Sequence, residues 1–251
     1  IHLEAVKAGA LSVKGLPESY DFHLLNLEGI QEGNPTYRYH LRNKKIQVSE
    51  RFPRVSRKNS VNQQYDLLDD TLVTGRNFKG NNYNFGVPND NTLAISNDNQ
   101  LISAINTNIC FYDMNNDTLL RQMNLRVFSD TLNSISNRQY DPKLIYDPSE
   151  DRFIIVFLAG ASSDTTSHII IGFSNTGDML GSWSLYTLPG NPVPGDTSWT
   201  DYPAIALTDD ELFITGNLLR YGGSWQTSFR QSVVWQVDKH AGYRGDQTIS
   251  S

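Results

Sequence analysis

Apolar and polar positions alternate with a period of two along most of the chain, the spacing of strands that bury one face. From residue 88 onward the alternation recurs in a fixed order. Three stretches, Asp90 to Asn106, Asp141 to Phe157 and Asp201 to Asn217, each run through an Asp, a short apolar strand, an acidic turn and a second apolar strand. Leu93, Leu144 and Ile205 open the strands at separations of 51 and 61 residues. A second strand pair follows each of the first two copies: Asn108 to Tyr112 turning into Thr118 to Arg126, and Ser167 to Phe173 turning into Trp183 to Leu188. Ser228 to Val237 supplies at least a third strand to the last copy. Four strands per repeat of this length is the pattern of β-propeller blades, each too thin to bury both faces alone. A sandwich is the competing arrangement, and the recurrent opening favours the propeller. The expected class is therefore all-β, with about three blades. A closed ring generally takes four or more, so further blades are expected beyond this chain, from residues 1–70 or from a partner.

Residues 1–70 read differently and are expected to form a partly β N-terminal extension, with the propeller over residues 71–251. Basic residues cluster there, from Arg38 and Arg42 to Arg57 and Lys58, and alternation at Tyr20 to Leu25 and Tyr37 to Leu41 predicts two strands. The one helix expected is Leu3 to Val13. The chain opens at Ile1 without a basic-then-apolar leader, so its natural start is expected upstream. No run reaches the roughly 18 apolar residues of a membrane span; the longest, Phe153 to Gly160, reads as a strand.

Composition narrows the picture. Lys and Arg number 21 against 27 Asp and Glu, a net charge of −6, which argues against nucleic acid as a partner. With 38% hydrophobic and 19% charged residues the chain is not of disordered type. Its 23 Asn suit a protein rich in tight turns. The single cysteine, Cys110, rules out a disulfide scaffold and, inside an alternating run, reads as a buried thiol.

Four motifs together resemble a family of secreted bacterial propellers frequent in Bacteroidota: Tyr140-Asp141-Pro142 with Tyr146-Asp147-Pro148 to Phe153, Ile169 to Ser174, Gly181 to Tyr186, and Asp201-Tyr202-Pro203. The resemblance spans residues 85 to about 220. It implies export by the type IX system, a location outside the cell or at its outer membrane, and usually a separate C-terminal sorting domain, expected beyond residue 251. A looser similarity reaches sialidase-like propellers, whose Asp-box turn has the form Ser-x-Asp-x-Gly-x-Thr-Trp. The corresponding turn, Ser174 to Trp183, is longer and its Asp is displaced. Such turns brace a hairpin and are read here as structural.

Candidate chemistry rests on carboxylates. Asp90, Asp141 and Asp201 open the three repeats and would converge near a central channel, where they could do acid–base work, hold a cation or bond the backbone of their own blades. A sialidase would further need clustered arginines and a Tyr nucleophile with a Glu. Tyr140, Tyr146 and Tyr202 are present, but Glu150 and Glu211 fall in turns and the arginines share no repeat position. Asp113 to Asp117 opens like a calcium loop, then places Thr118 and Asn124 where Gly and Glu belong. A plain turn is expected; calcium stays open and no other cofactor is expected. His2, His23, His40, His168 and His240 show no ligand spacing, and no Gly-x-Ser-x-Gly elbow occurs.

Trp183, Trp199, Trp225 and Trp235 all lie in the last 70 residues. Trp183 and Trp235 suit packing between blades. Trp199, Asp201, Tyr202, Tyr221 and Trp225 suit a binding rim. The expected function is a non-catalytic binding or assembly module of the bacterial surface, part of an outer-membrane-associated complex, with a protein or a glycan as partner. The alternative is a sialidase-like glycoside hydrolase.

Overall fold

Strand-forming alternation yields three antiparallel meanders in the computed structural model, which describes residues 4–16, 43, 46, 50, 77–82, 88–132, 135–136, 138–160, 167–193, 197–223 and 227–251. The first meander is β2 (Thr92–Ile95), β3 (Gln100–Ile105), β4 (Asn108–Asp113) and β5 (Thr118–Asn124). The second is β6 (Gln139–Asp147), β7 (Arg152–Ala159), β8 (His168–Ser174) and β9 (Ser182–Pro189). The third has three strands, β10 (Ser198–Leu207), β11 (Glu211–Arg220) and β12 (Phe229–Asp238). Short helices include α1 (Leu125–Phe128) and α2 (Lys239–Arg244), and a 3-10 turn lies at Val13–Gly15. The protein is all-β, and none of its sheets closes on itself.

The N-terminal stretch expected as a helix is a strand. β1 (Glu4–Ser12) inserts between β9 and β13 (Thr248–Ser250), extending the middle sheet to six strands in the order β13-β1-β9-β8-β7-β6. Its Ala, Glu and Lys are good helix formers, but propensity is a weak constraint and the ladder offered by the edge of β9 outweighs it. The chain divides into two units, Ile1–Asn26 with Gly80–Ser251, and Leu27–Lys79. The strands expected at Tyr20 to Leu25 and Tyr37 to Leu41 lie outside the described residues. No helix among the described residues is long and apolar enough to cross a membrane.

Asparagine and aspartate supply the turns. Asn99, Asp117 and Asp151 adopt left-handed backbone at φ 61°, 51° and 53° in the hairpins β2–β3, β4–β5 and β6–β7. Their short polar side chains tolerate that region better than other L-residues do. In the β4–β5 turn the Asp113 carboxylate accepts from Asn115 N (2.9 Å) and Asn116 Nδ2 (2.7 Å), so it braces the hairpin in the manner of a plain turn.

The middle sheet is covered on both faces. Along β7, Phe153, Ile155 and Phe157 join one cluster with Ile102, Ile109, Phe111 and Met123 of the first sheet. Ile154, Val156 and Leu158 join another with Leu212, Ile214, Trp235 and Val237 of the third. Two-sided burial explains why Phe153 to Ala159 is an unbroken apolar run rather than an alternating one. Trp183 and Trp235 lie in these two layers, as expected of packing residues. Cys110 is buried on the far side of the first sheet, where its thiol donates to Asn81 Oδ1 at 3.0 Å and burial pushes its pKa up to about 11.

A buried ion pair ties the third sheet to the second. Lys239 Nζ donates to Asp147 Oδ2 at 2.7 Å and to the carbonyl of Thr208 at 2.8 Å, and Tyr243 OH donates to the same carboxylate oxygen at 2.8 Å. Ser149 N completes the set on Oδ1 at 3.1 Å. Both charged side chains are almost wholly enclosed, at 1% and 3% exposure. Burial opposes the charge on Asp147, yet the bonds from Lys239 and Tyr243 win and hold its carboxyl below the ordinary range. Just beside the pair, Gly242 packs against the Phe173 ring so closely that an added Cβ would stand 2.5 Å from Cε2.

Removing one partner strands the other charge, so Lys239→Met or Asp147→Asn should each cost about 3–5 kcal/mol in urea unfolding. The combined Lys239→Met/Asp147→Leu variant should recover part of that loss. Because the folded-state pKa of Asp147 is depressed, its stabilisation is present above the unfolded value near 4 and fades as acid approaches the lower folded value. Unfolding midpoints of the three variants across that range check both statements.

Candidate functional site

The entries of β2, β6 and β10 stand side by side, and the structure joins them through side chains. Asn106, in the β3–β4 turn, donates from Nδ2 to Asp90 Oδ2 at 2.7 Å and to the carbonyl of Pro88 at 2.9 Å. Its Oδ1 accepts from Asp141 N at 2.6 Å. The Asp141 carboxylate in turn accepts from Tyr202 N at 3.0 Å. One chain of hydrogen bonds thus runs across three strand entries, and Leu144 N donating to Thr92 Oγ1 at 3.0 Å reinforces its first step.

The three entries share a backbone feature. Asp90, Asp141 and Tyr202 lie in the left-handed region at φ 43°, 53° and 49°. In β6 and β10 a bulge accompanies it: pairing steps from Tyr140 to Lys143 against β7 and from Asp201 to Ala204 against β11. Tyr202-Pro203 therefore corresponds to Asp141-Pro142, and Asp201 corresponds to Tyr140. This corrects the reading in which Asp141 and Asp201 hold the same repeat position; the prolines mark the true equivalence. Left-handed backbone is strained for a tyrosine and for any residue preceding proline. The Asp141 carboxylate bonded to the Tyr202 amide offsets that cost.

Asp141 is 6% exposed. Burial, then the neighbouring charges of Asp201 and Asp90, push its carboxyl up to about 7, with the Tyr202 N–H opposing. Asp201 is also raised, by burial and by Asp90, against the pull of Arg138. Arg138 lies over the Tyr140 ring with its Cζ 4.9 Å from the centroid. The arrangement sets three carboxylates beside the Arg138 cation, with the Asp141 carboxyl raised to about 7, so it can exchange hydrogen bonds with hydroxyl or ammonium groups. Among the described residues no group of three or more His, Cys, Asp and Glu is placed to hold a metal ion.

The aromatic candidates separate. Tyr202 is 57% exposed, and Lys143 Nζ stands 4.6 Å from its ring centroid. Trp199 is instead 8% exposed, set edge-on to Tyr140 at 6.4 Å between centroids, and belongs to the core between the second and third sheets. Tyr221 packs against the same core. Trp225 lies outside the described residues. Asn106, Arg138 and Lys143 escape sequence reading. Arg138 and Lys143 flank the Tyr140-Asp141-Pro142 motif, and that adjacency is the one signal available; Asn106 is one of 23 asparagines.

No family model matches the chain, and neither a curated protein nor a solved structure matches it.

A raised carboxyl binds its proton more readily in the folded state, so stability should fall as pH rises from about 4, the unfolded value, to about 7. Asp141→Asn keeps an acceptor for Tyr202 N–H and removes the titration. The variant should lose that part of the slope and gain on the wild type above pH 7, measured as urea midpoints from pH 4 to 8. Identical slopes in the two proteins would refute the assignment.

Proposed function

We propose that the chain is a propeller-type binding module, secreted or displayed at the bacterial outer membrane, that engages a partner without chemistry of its own. Each meander serves as a blade, and the strand entries form the binding end. Exposed Tyr202 carries the reading: more than half of its surface is open, with Lys143 against its ring, on a backbone held by Asp141. A large aromatic left in water on a strained, braced backbone fits recognition better than packing. Its ring face suits the apolar face of a sugar, and Lys143 and Asp201 suit neighbouring hydroxyls, so a surface glycan is the favoured partner over a protein.

One observation favours the second reading, a sialidase-like glycoside hydrolase. A carboxyl raised to about 7 beside other carboxylates is the setting of a general acid. Against it, Asp141 is enclosed and already bonded to the backbone of Tyr202.

On a glycan array the wild-type protein should retain a restricted set of structures, and Tyr202→Ala should weaken them roughly tenfold or more while leaving the circular dichroism spectrum unchanged. Equal retention by both proteins would sink the site. Released sugar, lost in Asp141→Asn with the fold intact, would move the conclusion to the hydrolase.

A further inference from the structure

The Tyr202 amide lies outside the β10–β11 ladder. Pairing steps from Asp201 to Ala204, and the other residue passed over, Pro203, has no N–H to give. The amide donates instead to Asp141 Oδ2 at 3.0 Å. Asp141 sits in the matching bulge of β6, where pairing steps from Tyr140 to Lys143, and its own amide is taken up by Asn106 Oδ1 at 2.6 Å. Each sheet thus holds the bulge of the next: Asn106 holds the backbone of Asp141, and the side chain of Asp141 holds the backbone of Tyr202. The residue so held has left-handed backbone at φ 49° ahead of a proline, and its ring stands largely in solvent. No ladder bond fixes that pose, so it depends on one carboxylate.

The charge on this carboxylate is set by its surroundings. Asp90, beside the β2 entry, shares a hydrogen bond with Asp141 and adds like charge. Asp201 adds like charge from β10. Arg138, just ahead of β6, lies over the Tyr140 ring and draws on Asp201, while Lys143 is turned to the Tyr202 ring. β3 contributes no ionisable side chain, and β7 only Arg152, at the opposite end of the sheet. Burial and the two like charges leave the Asp141 carboxyl raised to about 7. An ionised carboxylate makes a charge-assisted bond to an N–H, roughly twice as strong as one to a neutral acceptor. A proton taken from solvent into the Asp141–Asp90 contact leaves Tyr202 N with the weaker acceptor.

We infer that Asp141 is a proton-operated latch on Tyr202: the ionised carboxylate fixes the bulge and presents the ring, and protonation lets the bulge move and the ring lose its fixed pose. The latch rests on the reading of Tyr202 as a contact residue only for its effect on binding. There it gives a grip that tightens above neutrality and slackens in acid. Global stability runs the other way, because a raised carboxyl favours the folded state in acid. Opposite signs for fold and grip separate a latch from a merely structural carboxylate.

Asp201-Tyr202 is the one Asp-Tyr step in the sequence, so aspartate labelled at its carbonyl carbon with tyrosine labelled at its amide nitrogen isolates this amide by nuclear magnetic resonance in the whole protein. From about pH 5 to 9 its proton resonance should move downfield with a midpoint near 7. Its solvent exchange, corrected for the intrinsic base-catalysed rate, should slow over the same range. Asp141→Asn should flatten both. Asp90→Asn, which removes a like charge yet keeps an acceptor for Asn106, should lower the midpoint by roughly one unit. Glycans retained by the wild type should bind roughly fivefold tighter at about pH 8 than at about pH 6, and Asp141→Asn should erase the difference. A Tyr202 amide that does not titrate near neutrality, or titrates equally in Asp141→Asn, overturns the latch. Equal retention at both pH values overturns it too. An amide that titrates as stated in a protein retaining no glycan supports the latch and sinks the glycan reading instead.

Discussion

Two-sided burial of the middle sheet is the constraint on which the architecture depends. A strand such as β7, with Phe153, Ile155 and Phe157 on one face and Ile154, Val156 and Leu158 on the other, has no face to give to water. Each of these side chains contributes about 1.5–3 kcal/mol when fully enclosed, and it does so only with a sheet on both sides. The first and third meanders are therefore conditions for the second, as nearest-neighbour stacking requires. The outer sheets need cover on one face alone, which is why Leu93 and Val234 can stand in solvent while nothing comparable is exposed on β7.

Polar chemistry is placed at the two ends of β6, where the layers meet. Asp141 opens the strand and Asp147 closes it, and both reach the third sheet: one through the amide of Tyr202, the other through Lys239. Their electrostatic fates diverge because of their company. Asp141 faces Asp90 and Asp201 and keeps its proton to higher pH; Asp147 faces an ammonium and a phenol and gives its proton up early. The same residue type, on one strand and both nearly enclosed, becomes a proton store at one end and a fixed charge at the other. A buried ion pair and a raised carboxyl are thus separated along a single strand.

Much of this was legible in the residues. Alternation marked the hairpins, and the unbroken run at Phe153 announced a strand buried on both sides. The repeated Asp-led openings located the joined strand entries. What escaped were tertiary effects. Glu4 to Ser12 is rich in good helix formers, and only the waiting edge of β9 makes it a strand. The bulge at Asp201 moves Tyr202 into the place of Asp141, a shift of one residue that the Asp-led pattern does not show. Trp199 read as a rim residue beside Asp201 and Tyr202, yet Tyr140, distant in sequence, covers it. Asn106 works through both ends of one amide, a role that belongs to its neighbours rather than to its own surroundings in the chain.

The enclosure of Cys110 has a practical consequence. Its thiol bonds to Asn81, which also receives Asn108 Nδ2 and donates to Ser103, while Tyr112 holds the carbonyl of Gly80. A sulfur so covered, and slow to ionise, reacts with a labelling reagent only when this short segment lifts from the first sheet. The lone cysteine is therefore a clock built into the outermost layer. Its modification rate counts local openings of the first sheet separately from global unfolding, with no engineered probe.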